Sequence, residues 1–202
     1  MTDTISSTAM HVGRWPVLAR IDAFLAEAAV AELLSRQDPD GVWWKGGRNK
    51  GWDVAGRDAN GDHITVDAKA AFTDVVNVAG GDELCLGFMG SPKRSAGAEA
   101  REGITYALVL LEHTDYDGPQ TSALAPTIRL DATVRYAVFR FTAEQINALF
   151  RRPLVKDGSR RRSGGNLYLP LAQALAGGHL WEGSAQVLPD GTLAPEGSST
   201  PP

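Results

Sequence analysis

At 202 residues, 43% of them apolar and 22% charged, the chain has the make-up of a folded globular domain that needs no metal or disulfide staple. A formal charge of −4 argues against a protein that coats nucleic acid by bulk charge, but it leaves room for a nucleic-acid enzyme with local basic surface. The single cysteine, Cys85, lies between Leu84 and Leu86, which excludes an intrachain disulfide framework and suggests a buried thiol in a reducing, cytoplasmic setting. No apolar run approaches the roughly 20 residues that span a bilayer, and residues 1–10 lack the apolar region of a secretory signal.

In chain order, residues 1–13 read as a loose leader ahead of a main domain over 14–182. Val17, Leu18, Ile21, Phe24, Leu25, Ala28, Val30, Leu33 and Leu34 recur at helical spacing and predict a helix over 16–36, with Pro16 in its first turn. Asp38, Pro39, Asp40 and Gly41 end it. Val42, Trp43 and Trp44 suggest a short strand, and 45–51 a basic, glycine-rich loop. Two strands follow over 52–71, then an irregular region with a strand over 84–88 and a polar helix over 97–102. The apolar run 104–113 predicts a strand buried on both faces. A strand over 134–141 leads into a helix opened by a Thr142–Gln145 capping box. A basic loop over 151–162, an edge strand over 166–169 and a short helix over 170–176, stopped by Gly177 and Gly178, complete the domain. From Gly183 the composition turns to Gly, Ser and Pro and reads as a disordered tail, 183–202. This order implies an α/β fold, a mixed central sheet flanked by helices in three αβα layers.

The register of the 53–69 hairpin decides what its charges do. A two-residue Asn60-Gly61 turn would put Asp53 opposite Ala68 and send Asp53 and Asp67 to opposite faces. A three-residue loop, Ala59-Asn60-Gly61 with Gly61 left-handed, instead pairs Asp58 with Asp62, Arg57 with His63 and Asp53 with Asp67. Like charges placed opposite each other destabilise a sheet. A hard cation such as Mg²⁺, which takes one or two carboxylates and keeps several waters, gives that arrangement a use. Lys69 follows Asp67 by two residues and shares its face, whereas Ile64, Val66 and Ala68 form the apolar face.

Trp52-Asp53-Val54 followed by Thr65-Val66-Asp67-Ala68-Lys69 resembles the PD-(D/E)XK motif of the restriction-endonuclease-like nuclease superfamily. It is most similar to the Mrr-like branch, whose helix before the motif carries Phe-Glu, an aliphatic residue and paired leucines. Phe24, Glu27, Val30, Leu33 and Leu34 approximate that pattern, with two departures: Phe24 and Glu27 are not adjacent, and Trp52 stands where the motif has proline. The resemblance spans about residues 17–71. It implies a metal-dependent endonuclease hydrolysing DNA, of a restriction or defence kind. Asp53, Asp67 and the Ala68 carbonyl would hold Mg²⁺ or Mn²⁺, Glu27 would assist, and Lys69 would orient the attacking water. It also allows a homodimer or partner subunits of a defence system.

Lys45, Arg48 and Lys50 before the motif, and Arg160, Arg161 and Arg162 in the densest basic cluster, are candidate phosphate contacts; a solvated loop is the alternative for each group. Trp43, Trp44 and Trp52 can stack on bases but read first as core residues. The four histidines show no zinc spacing with the lone cysteine. A non-catalytic nucleic-acid-binding or assembly module on the same fold is the rival from another class.

Overall fold

The first helix, α1 (Ser7–Gln37), begins nine residues before Pro16, inside the stretch read as leader. Proline removes one backbone donor without forbidding the turns around it. The structure is a computed structural model that describes residues 7–45, 51–78, 81–89, 103–113, 121–122, 125–126, 134–149 and 166–194. The stripe Ala26, Ala29, Val30, Leu33 and Leu34, at helical spacing, is buried. The helix closes with the Asp38 N–H donating to the Leu34 carbonyl, and Gly41 turns back onto Asp38.

The strands in order are β1 (Trp43–Trp44), β2 (Val54–Arg57), β3 (His63–Val78), β4 (Gly81–Met89), β5 (Thr105–His113), β6 (Thr121–Ser122), β7 (Ala125–Pro126), β8 (Val134–Phe141) and β9 (Asn166–Pro170). Helix α2 (Ala143–Leu149) follows β8, and α3 (Leu171–Ala176) follows β9. Seven strands form one open sheet; β6 and β7 pair separately. All pairs in the large sheet are antiparallel except β3 with β5. The run predicted over 104–113 is thus an interior strand, held between β3 and β8. Thr142 and Gln145 form the expected capping box: the Thr142 N–H donates to Gln145 Oε1 at 2.8 Å and the Gln145 N–H to Thr142 Oγ1 at 3.2 Å.

Three expectations fail. The irregular region after Ala71 is a continuation of β3, which runs 16 residues and folds back into β4. The segment from Gly183 to residue 194 is not tail: Val187, Leu193 and Ala194 are buried, and the Trp181 and Ala185 amides donate to the Val138 and Tyr136 carbonyls along the outer edge of β8. The helix start is the third. The expected helix over 97–102 lies outside the described residues.

The alternation of strand side chains divides the core in two. Val54, Val66, Ala68, Ala107, Val109 and Val138 meet the stripe of α1. Leu86, Tyr106, Leu108, Leu110, Phe139 and Phe141 face the other way, with Ile146 of α2 and Leu171 and Ala174 of α3. Gly56 lets β2 lie close against α1, where a Cβ would come within 3.2 Å of Leu34.

Candidate functional site

β3 is paired on both edges, but unevenly. Val66 pairs with Val54 of β2 and with Thr105 of β5, and Ala71 pairs with Phe88 of β4 and with Leu110 of β5. A strand has only two edges, so β2 and β4 both lie on the edge away from β5, end to end. β2 stops at Val66 and β4 starts at Ala71, which leaves residues 67–70 without a strand neighbour on that edge among the described residues. The break falls on Asp67, Ala68, Lys69 and Ala70.

The hairpin that leads there has the three-residue loop. Arg57 pairs with His63, the Asp58 N–H donates to the Asp62 carbonyl, and Gly61 has φ +83°. The ladder ends one pair short of Asp53 and Asp67. The Asp53 N–H donates instead to the Val66 carbonyl at 2.8 Å, one residue out of step, as at a β-bulge. Asp53 and Asp67 are therefore not the directly opposed pair that an undisturbed ladder gives. The bulge directs the Asp53 side chain into the break, where Oδ2 accepts from the Ala68 N–H at 3.0 Å. A carboxylate takes the place of the missing strand.

Asp67 and Lys69 project to the face opposite α1, and Lys69 donates to the Asp67 carboxylate. A strand residue directs its N–H and C=O to the same edge, so the Ala68 carbonyl opens beside Asp53. Burial pushes the Asp53 carboxyl up to about 6. Lys69 and the Ala68 amide oppose that shift, and the Asp67 and Glu27 carboxylates add to it.

Glu27 lies on the Asp53 side of α1, its Oε2 accepting from Trp44 Nε1 at 2.7 Å. Glu32 faces elsewhere, bound by Arg36 at 2.6 Å and by the Tyr136 hydroxyl, which together hold its carboxyl below the usual range. The Lys45 N–H donates to the Asp53 carbonyl, and the Lys45 ammonium sits 3.5 Å above the Trp52 ring. Arg48, Lys50, Arg160, Arg161 and Arg162 lie outside the described residues.

Among the described residues, no three His, Cys, Asp or Glu side chains converge on one point. Two carboxylates and one carbonyl nevertheless make a hard-oxygen set of the size that Mg²⁺ accepts, the rest of its shell being water. The half-buried Asp53, whose carboxyl burial pushes up to about 6, is the group such a charge would stabilise. The donors present are of the type a divalent cation takes, with the Lys69 ammonium on the Asp67 carboxylate and 3.5 Å from the Ala68 carbonyl.

Sequence reasoning missed Asp58 and Arg140. Asp58 is buried, and its Oδ1 accepts from the Asn60 and Asp62 amides while Oδ2 pairs with Arg140 at 2.9 Å. The only sequence signal is an Asp two residues before Asn-Gly, a common turn pattern. No family model, curated protein or solved structure matches this chain.

Proposed function

We propose that the chain is a metal-dependent phosphodiesterase, a DNA endonuclease of the restriction-endonuclease-like kind, acting at the break in the β3 edge. The observation that carries this reading is the Asp53 carboxylate lodged in that break against the Ala68 amide, with the Asp67–Lys69 pair two bonds' reach along the same strand. Apolar packing on both faces of the sheet supports the three-layer αβα arrangement that goes with it. A folding role gives no reason for a half-buried aspartate with a raised pKa beside a second carboxylate.

Asp53, Asp67 and the Ala68 carbonyl would hold the cation, Mg²⁺ or Mn²⁺, with Glu27 reaching it through water. When bound, the ion polarises the phosphoryl oxygen and makes nearby water more acidic. Lys69 orients Asp67 through their ion pair. Its ammonium can also donate to the attacking water and to the phosphate as charge grows there. Water adds to phosphorus, one P–O bond breaks, and a proton goes to the departing oxygen. The Ala68 N–H fixes one Asp53 oxygen, so the other is free to face the ion.

Supercoiled plasmid, linear DNA and RNA incubated with Mg²⁺ or with EDTA test the reading. The wild type should nick or cut DNA with Mg²⁺ and not with EDTA. Asp67→Ala should lose both cleavage and cation binding. Lys69→Ala should keep cation and DNA binding while cleavage falls by about two orders of magnitude or more. A wild type that cuts nothing with Mg²⁺ or Mn²⁺ ends the enzyme reading. A binding or assembly module without catalysis is the second reading, favoured by the Lys69–Asp67 ion pair, which needs no metal to be stable.

A further inference from the structure

The aromatic residues beside the site are not core. Trp43 is 72% exposed, Phe24 55% and Trp44 39%. The expectation that these tryptophans pack inside therefore fails for Trp43 and Trp44, and its physical cause is the position of β1 at the sheet edge, two residues long with no strand beyond it among the described residues. Trp44 turns toward α1, where its ring lies 4.9 Å from that of Phe24 and its indole N–H holds Glu27.

Trp43 must then point to the other face. It pairs with Ala55, which pairs with Thr65, and Thr65 shares its face with Asp67 and Lys69. The exposed indole and the Asp67–Lys69 pair are thus on one surface, two strand spacings or roughly 10 Å apart across the sheet and a further two to four residues, roughly 7–13 Å, along it. One extended strand of nucleic acid can touch both. Lys45 follows Trp43 by two residues, is exposed, and holds its ammonium over Trp52.

A single exposed aromatic is ordinary on a surface; what marks Trp43 is the Lys45 cation beside it and the face it shares with Asp67. Its surroundings favour one occupant. The exposed cation Lys45 flanks the path next to Trp43, which suits a phosphate beside a flat base. An apolar protein partner laid on Trp43 would leave the exposed Lys45 ammonium beside it without a counter-charge. Resting on the nuclease reading above, we infer that Trp43 is a stacking platform for unpaired bases, and that the substrate presented to Asp53 and Asp67 is a single-stranded or locally unpaired stretch of nucleic acid.

Equilibrium binding of fluorescent oligo-dT, oligo-U and a duplex of equal length, all in EDTA, tests this apart from cleavage. The wild type should bind the single strands more tightly than the duplex. Trp43→Ala should weaken single-strand binding about tenfold, the loss of one stacked base. Trp43→Phe should restore most of it, and neither variant should change the melting temperature. The ratio of oligo-dT to oligo-U affinity identifies the preferred sugar, and stacking on either upholds the platform. Equal binding of duplex and single strand, or unchanged binding by Trp43→Ala, overturns it. So does a dimer of the free protein that Trp43→Ala dissociates, since a second copy would then be the occupant. A protein that binds through Trp43 yet never cuts DNA sinks the nuclease reading alone; one that cuts DNA with Trp43 indifferent sinks the platform alone.

Discussion

Asp53 is where local chemistry and folding pull apart. Burial holds its carboxyl up to about 6, above the ordinary value near 3.9, so the folded chain binds this proton more tightly than the unfolded chain does. Stability from this group is therefore greatest at about pH 4 and below, and it declines as pH rises through about 6. Asparagine at this position keeps an oxygen for the Ala68 amide and carries no charge. Without divalent ions, Asp53→Asn should be about 1–2 kcal/mol more stable than wild type at pH 8 and nearly equal to it at pH 4. Urea unfolding at the two pH values measures this, and a variant less stable than wild type at pH 8 would contradict it. Adding Mg²⁺ at pH 8 should stabilise the wild type and leave Asp53→Asn little changed, because the ion supplies the charge that burial withholds.

At the scale of elements, the β2–β3 hairpin depends on Asp58. Burial works to raise its pKa, but Arg140 and the Asn60 and Asp62 amides outweigh it and hold the carboxyl below the usual range. The stability it confers is present above about pH 4 and is lost as pH falls, the reverse of Asp53. Asp58→Ala should cost about 1.5–3 kcal/mol in thermal or urea unfolding at pH 7, and a loss under about 0.5 kcal/mol would show the turn to be self-sufficient. This hairpin was legible in the sequence because Asn60-Gly61 and the alternation of Ile64, Val66 and Ala68 are local signals. The same holds for the Thr142–Gln145 cap and for the apolar run of β5. The bulge at Asp53 and the break at residues 67–70 were not legible. They depend on where β4 and β5 dock against β3, across long stretches of chain. Phe72 to Val78 mixes Thr73, Asp74 and Asn77 with apolar residues, so no clean period announced that β3 continues. In the last segment, Val187 and Leu193 stand alone among Gly, Pro and Ser, and their burial comes from the cluster around Phe139 and Leu171 rather than from any pattern of their own.

Over the whole molecule, three devices deal with the sheet edges. β1 is two residues long, β9 ends at Pro170, and the outer edge of β8 is covered by the segment that contributes the Trp181 and Ala185 amides. Arg36 of α1 donates to the Gly183 carbonyl and Arg135 of β8 to the Ala194 carbonyl, tying that segment to the body at both ends. The site has no separate foundation. β3 carries it, and β3 is also the strand on which β2, β4 and β5 all assemble. Loss of the site on heating should therefore coincide with loss of the sheet: divalent-cation affinity and far-UV circular dichroism should share one midpoint, and a site that fails at a lower temperature would contradict this. On the nuclease reading proposed above, the shared strand would make thermal inactivation all-or-none, so a half-inactivated sample should be a mixture of competent and inert molecules, with a halved maximal rate and an unchanged KM.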